Sequence, residues 1–353
     1  MAQNLSSSIR TLLHEGTVIP AHPLALHKDR TLDEERQRAL TNYYISSGAG
    51  GVAVGVHTTQ FEIRNEGIDL YETVLRMAIE EINKAKLTRP FIKVAGVVGE
   101  LDQVQEEAKI AKGLGYDLAL VSMGGLSHLS EEEHLERVKT VAETMPVFGF
   151  YLQPAVGGRV FSYEFWRAFA DIPGVYAIKL APFDRYQTID VVRAVCHSER
   201  RDDIALYTGN DDHIVDDLLT TFRFRVEGNV VSKPIVGGLL GQWAVWTSKA
   251  VTLLEQAKEA KQDGLIPAEL LTAGAELTDA NAAIFDAANG FKGSIAGINE
   301  ILRRQGLLRE RICLMEHERL SPGQEKEIDR IHEDYPHLHD NAFVRNHIQS
   351  GVL

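Results

Sequence analysis

Short apolar runs alternate along the chain with longer stretches whose apolar positions recur every three or four residues, the periodicities of a buried strand and an amphipathic helix. The pairs are residues 16–20 and 32–47, 51–56 and 70–84, 91–98 and 102–114, 118–122 and 131–143, 147–151 and 163–169, 175–181 and 188–196, 204–208 and 214–222, and 234–239 and 243–257. Such alternation implies right-handed crossovers and a parallel sheet, and eight units predict an α/β fold, a (β/α)8 TIM barrel. Thr31 with Glu34 and Ser130 with Glu133 read as capping boxes at two helix starts. Beyond residue 263 the pattern is helical: Pro267 opens a helix through Leu270 and Leu271, and apolar positions recur at 284–288 and 295–302. The expected organisation is a barrel over residues 1–260 and a C-terminal helical appendage over 261–353.

The chemistry of such a barrel gathers at the carboxyl ends of its strands. Val175-Tyr-Ala-Ile-Lys-Leu-Ala181 puts Val175, Ala177 and Lys179 on one face and Tyr176, Ile178 and Leu180 on the other. An amine in apolar surroundings is pushed toward its neutral form, the form that attacks a ketone to give a Schiff base. A lysine at a strand end also packs its stem while its head reaches water, and this stretch alone leaves both readings open. The same alternation in Val147-Phe-Gly-Phe-Tyr151 puts Gly149 and Tyr151 on one face, so that Tyr151 is expected to share the cavity of Lys179 and move protons there; core packing is the other role for such a tyrosine. His57-Thr-Thr-Gln60 after the second strand is either an anion-holding turn or an ordinary polar one. Glycines after the seventh and eighth strands, Gly209 and Gly238 among them, allow close approach to a ligand or a tight turn.

Composition narrows the classes. The chain has 353 residues, 44% hydrophobic and 25% charged, with 37 basic and 50 acidic side chains and a formal net charge of −13. That balance disfavours nucleic acid and anionic membranes as partners. Cys196 and Cys313 are the only cysteines, without metal-ligand spacing, and no apolar run is long enough for a signal core or a membrane span, so a cytoplasmic protein is expected. His332, His337, His339 and His347 near the C terminus fit no defined metal set; the expectation is no metal, no cofactor, and a solvated or subunit-packing tail.

Thr58-Thr59, Tyr151-Leu-Gln-Pro154, Ile178-Lys179 and Gly209-Asn-Asp-Asp212, in this order on strands two, five, six and seven, resemble the dihydrodipicolinate synthase and N-acetylneuraminate lyase superfamily. The resemblance runs from Gly16-Thr-Val-Ile-Pro20 to about Leu308 and includes Phe291-Lys-Gly-Ser-Ile-Ala-Gly-Ile-Asn-Glu-Ile-Leu302 near the C terminus. It implies a class I aldolase-type lyase. Lys179 forms the imine with pyruvate or another 2-oxo acid, Tyr151 relays the proton, Thr58 and Thr59 hold the carboxylate with Thr58 also supporting Tyr151, and Gly209 and Asp211 lie near the distal part of the substrate.

The chain departs from the family in several places. Gly-Thr-Thr-Gly-Glu becomes His57-Thr-Thr-Gln-Phe-Glu62, the tyrosine pair after strand four is replaced by Met123-Gly-Gly-Leu-Ser-His128, and Arg159 follows Pro154 at five residues where lysine-pathway members place an arginine at two. These departures argue against the dihydrodipicolinate synthase reaction itself. Arg159 is a candidate for a second carboxylate or a solvated loop residue. His22, His57, Gln60, Gln153, Asn210 and Gln242 read as a polar rim suited to a sugar-acid-like substrate. The expected activity is aldol cleavage or condensation of a 2-oxo acid with an aldehyde in a homo-oligomer, dimer or tetramer. The alternatives are dehydration of a 2-oxo-3-deoxy sugar acid through the same imine and a barrel that binds a metabolite without catalysis.

Overall fold

Each apolar run between residues 16 and 208 becomes a strand in the computed structural model, which describes residues 4–350. These are β1 (Val18–Pro20), β2 (Gly51–Val54), β3 (Ile92–Val97), β4 (Leu118–Val121), β5 (Val147–Leu152), β6 (Val175–Ala181) and β7 (Ala205–Thr208). An antiparallel hairpin of β8 (Thr221–Val226) and β9 (Asn229–Pro234) follows before β10 (Gly237–Leu240). The main sheet has eight strands in the order β1-β10-β7-β6-β5-β4-β3-β2, the sequential order of a (β/α)8 barrel, with helices between strands and further helices at the C-terminal end. The hairpin replaces the end of the helix expected over residues 214–222, which stops at Leu219.

Contacts gather the chain into two compact units: Ile92–Leu239 with the amino-terminal segment through Thr17, and Val18–Phe91 with the chain from Leu240 onward. In the first, β3 to β7 pair in parallel and are buried almost throughout. Helix starts follow the sequence chemistry. Ser130 Oγ accepts from the Glu133 amide at 3.1 Å while the Glu133 carboxylate accepts from the Ser130 amide at 2.7 Å, the expected capping box, ahead of the helix Glu131–Thr144. The short helix Tyr163–Ala170 buries Phe165, Trp166 and Phe169, each worth about 1.5–3 kcal/mol of apolar transfer.

In the second unit β1 and β2 meet through a parallel bridge, Ala21 with Ala53. The helix Glu34–Ser46 is capped by Asp33, whose carboxylate accepts from the Arg36 amide at 3.1 Å; Thr31, the expected cap, instead donates its hydroxyl to Asp29 at 2.6 Å. Pro267 opens the helix Ala268–Ile284 as expected, and the helices Ser294–Arg304, Gln324–Asp334 and Asn341–Gln349 complete this end. Asp340 pins the tail, taking hydrogen bonds from Tyr43 at 2.7 Å and Gln305 at 2.8 Å. Three of the tail histidines are packed: His332 and His339 stack with centroids 4.4 Å apart, and His347 is buried against Phe343, while His337 stays exposed beside Glu276. Among the described residues no helix is long and apolar enough to cross a membrane, and no group of three or more metal-ligating side chains is placed to hold an ion.

Candidate active site

Lys179 lies near the carboxyl end of β6, only 8% exposed. Its Nζ sits over the Phe150 ring, 4.3 Å from the centroid. A side chain at Gly209 would place its first carbon 2.6 Å from Lys179 Cε, so glycine there is what leaves room for the lysine stem. Burial pulls the ammonium down and Asp211, itself 8% exposed, pulls it back up, leaving it at about 8. At pH 7 that leaves about a tenth of the amine neutral, roughly two hundredfold more than for a lysine at the usual 10.4.

Tyr151 is not in this group. Pairing of β5 with β6 starts at Val147 with Val175 but then shifts, so that Phe148 faces Ala177, Phe150 faces Lys179 and Tyr151 faces Leu180. Without the shift, Tyr151 would pair with Lys179, and a slip of one residue in a strand turns every later side chain to the other face. Gly149 shows which face that is: a side chain there would run into the Phe169 ring at 2.6 Å, on the helix side of the sheet. Tyr151 follows it outward, its ring 5.0 Å from that of Trp166 and its hydroxyl donating to Gln187 Oε1 at 2.6 Å. Burial raises the phenol to about 12. The aromatic beside the lysine is Phe150, which carries no proton.

The loop after β7, which bears Asp211, is fixed from behind by a buried carboxylate. Asp217 accepts from Thr208 Oγ1 at 2.7 Å, from Asn210 Nδ2 at 3.0 Å and from the Arg185 guanidinium. Burial raises this carboxyl, and the hydrogen bond from Thr208 leads the opposing effects. Asn210 also donates to Thr188 at 3.2 Å and accepts from the Phe183 amide at 3.1 Å. Sequence reasoning missed Asp217, Gln187 and Phe150; the seven-residue spacing of Asn210 and Asp217 across a strand-to-helix turn was the available signal for the first.

Several sequence assignments change. Pairing places Lys179 with Tyr207 and Tyr207 with Gly237, so Gly237 shares the lysine's face and Gly238, paired with Thr208, does not. Arg159 braces the loop after β4, donating to the Leu129 carbonyl at 2.7 Å with its guanidinium 5.1 Å from the Phe161 ring. In the second unit Thr58 donates its hydroxyl to the Ala21 carbonyl at 2.8 Å, not to a tyrosine. Thr59 donates to the His22 carbonyl at 2.7 Å and accepts from the amides of Gly55 at 3.0 Å and Val56 at 3.1 Å, so its hydroxyl is fully engaged in shaping the turn. Of the expected polar rim, His22 is buried on Thr41 and Gln37, Gln60 is buried with Oε1 accepting from the Leu314 amide at 2.6 Å, and Asn210 serves Asp217. Gln153 and Gln242 are also buried, and His57 stays half-buried, its ring near Phe61.

A sequence model of the dihydrodipicolinate synthetase family matches residues 15–228. No curated protein sequence matches the chain. Among solved structures, dihydrodipicolinate synthase from Oceanobacillus iheyensis superposes with a TM-score of 0.71 at 17% identity, covering 90% of this chain and 96% of that one. N-acetylneuraminate lyase from Fusobacterium nucleatum gives 0.69 at 19% identity, over 91% and 99%. Chloride-inhibited dihydrodipicolinate synthase from Acinetobacter baumannii complexed with pyruvate gives 0.72 at 17% identity, over 91% and 99%. At these identities the likeness establishes the fold.

Proposed function

The chain belongs to the dihydrodipicolinate synthetase family, whose members are class I aldolase-type lyases, and we propose that Lys179 forms a Schiff base with pyruvate or a related 2-oxo acid to make or break the adjacent carbon–carbon bond. The observation that carries this reading is a buried amine against an aromatic face with an acidic group beside it. The neutral amine adds to the ketone, the carbinolamine hydroxyl takes up a proton, and loss of water leaves an iminium. The Phe150 face favours that cation, by about 0.5–2 kcal/mol. In the cleavage direction a base takes the proton of the neighbouring hydroxyl, the carbon–carbon bond breaks, its electron pair moves into the iminium, and an aldehyde leaves. The resulting enamine takes up a proton, and hydrolysis frees the amine. Asp211 is the group we assign to proton transfer, because Tyr151 faces the helices and Phe150 cannot do it. The threonine turn is assigned the narrower role of shaping the chain after β2.

The test is chemical trapping. Incubation with pyruvate and borohydride is expected to leave a reduced pyruvyl group on the peptide that contains Lys179; an unmodified peptide with every 2-oxo acid tried would overturn the proposal. Two variants then divide the labour. Asp211→Asn removes the charge that raises the Lys179 ammonium, so the acid limb of the kcat/KM profile moves to lower pH, while kcat falls by about 10²-fold or more with the proton acceptor gone. An unchanged profile and kcat would strike Asp211 from the scheme. Tyr151→Phe is expected to leave trapping within about twofold and to cost about 1 kcal/mol of stability for the lost Gln187 hydrogen bond. A large slowing of trapping would return the phenol to the chemistry.

The outward Tyr151 also favours a second reading, a barrel that captures a 2-oxo acid without turning it over. Trapping without release of any carbonyl product from a panel of 2-oxo-3-deoxy sugar acids would select it. Release of a dehydrated product in place of an aldehyde would select the dehydratase, in which the imine expels water from the neighbouring carbon. The sugar-acid preference itself is weaker than the sequence implied, because His22, Gln60 and Asn210 are engaged within the fold.

A further inference from the structure

Between the helices Ser294–Arg304 and Gln324–Asp334 the chain runs without regular structure, yet it is held at many points. Arg309 pairs with Asp33 at 2.5 Å and Glu35 at 2.6 Å, Arg30 Nε donates to the Cys313 carbonyl at 3.2 Å, and the Leu314 amide donates to Gln60 at 2.6 Å. The segment so fixed walls a cavity of about 320 Å³. Its polar lining is Arg30, Arg311, Arg319, Glu316 and Glu318, over an apolar floor that includes Met315 and Leu320.

The three guanidinia are not equally free. Arg311 is engaged by Glu300 at 3.3 Å and Glu325 at 3.1 Å. Arg30 keeps its terminal nitrogens, the nearer one 3.8 Å from Glu316, a carboxylate 89% exposed and able to swing into water. Arg319 makes no side-chain hydrogen bond or ion pair among the described residues. Glu318 also lines the cavity and buries one carboxyl oxygen, Oε2, with no hydrogen-bond partner. Burial, with Glu62 nearby, pushes this carboxyl up to about 7, so much of it carries a proton at neutral pH and presents an O–H donor. In a chain of net charge −13 this gathers three guanidinia, that of Arg319 without a side-chain partner, in a volume at the small end of metabolite pockets.

We propose that this cavity binds a small organic dicarboxylate, one carboxylate taken by Arg319 and Arg30 and the other accepting a hydrogen bond from Glu318. Planar guanidinia match a carboxylate fork, and a protonated carboxyl on the same lining is a donor for the second carboxylate. The site does not depend on Lys179 or on imine chemistry. It does touch the fold around the threonine turn: Leu314 lies between two lining residues, Cys313 and Met315, and its amide is held by Gln60, the residue after Thr59. An occupied cavity therefore steadies residues 309–320 and, through Gln60, the turn after β2.

The full chain is titrated calorimetrically with succinate and, in parallel, with inorganic phosphate, and amide hydrogen exchange is followed with succinate present. Succinate is expected to bind saturably at one site, in wild type and in Lys179→Ala alike, and to slow exchange over residues 309–320 and at Gln60. Arg319→Glu, at an exposed position without a side-chain partner to lose, should weaken binding by about tenfold or more, equivalent to 1.4 kcal/mol. Absence of saturable succinate binding, binding lost in Lys179→Ala, or binding unchanged in Arg319→Glu would each overturn the site. Phosphate binding more tightly than succinate and sensitive to Arg319→Glu would overturn the dicarboxylate assignment in favour of a phosphoryl ligand. Because Lys179→Ala removes imine formation but not this cavity, failure here and failure of the lyase reading are separable.

Discussion

Lys179→Ala is expected to lose all trapping of pyruvate by borohydride and to bring turnover down to background, with the fold intact. A class I mechanism has no route to the iminium without this amine. Lys179→Arg sharpens the test: it keeps a positive charge beside Asp211 and Phe150, but a guanidinium stays protonated and does not attack a ketone. In the wild-type chain the sign of the pH dependence follows from the lowered ammonium. Below its value of about 8 the neutral fraction falls about tenfold per unit, so the trapping rate should climb with pH toward 8 and level off above it. A rate flat from pH 6 upward, or turnover surviving in both variants, would place the chemistry on another residue. Retained secondary structure and retained succinate binding in Lys179→Ala would show that the loss is chemical and not a failure to fold.

The strand-and-helix alternation carried most of the fold, because strands buried on both faces read as continuous apolar runs and their helices keep a 3.6-residue period. It also carried Lys179, since β6 alternates cleanly from Ala177 to Ala181. Tyr151 was misplaced because its face depends on the register with β6, which a single strand's alternation does not specify; the shift near Val147 decides it. Gly149 held the clue, as a residue small enough for Phe169 of the covering helix to press against. The β8–β9 hairpin was legible in principle. Phe222, Phe224 and Val226 alternate with polar residues, and Glu227-Gly228 supplies two consecutive positive φ angles, 50° and 85°, as a two-residue hairpin turn needs. The polar rim failed for another reason. Composition shows that His22, Gln60 and Asn210 are polar, but not that Thr41, Leu314 and Asp217 already occupy them.

That distinction between polar residues facing a ligand and polar residues holding the fold sets up the largest expected effect on stability, at Glu300. Its side chain is fully buried and accepts from Arg303 at 2.8 and 2.9 Å, from Arg304 at 2.7 Å and from Arg311 at 3.3 Å, joining the helix Ser294–Arg304 to the segment that follows it. Burial opposes the charge, but the hydrogen bonds from Arg303 and Arg304 outweigh it and draw the carboxyl down to about 2. Glu300→Gln leaves three guanidinia around a neutral amide that can accept at only one atom. Removing one partner of a fully buried pair costs about 3–5 kcal/mol; these arginines keep some access to water, so about 2–3 kcal/mol is expected here. A carboxyl at about 2 in the fold and about 4.3 when unfolded stabilises fully above the higher value and loses that contribution as pH falls through the lower one. Urea midpoints of wild type and Glu300→Gln should therefore stand well apart at pH 7 and draw together on acidification below about 4. Midpoints that coincide at neutral pH, or a gap that does not narrow in acid, would mean that the arginines around Glu300 are held by solvent and not by its charge.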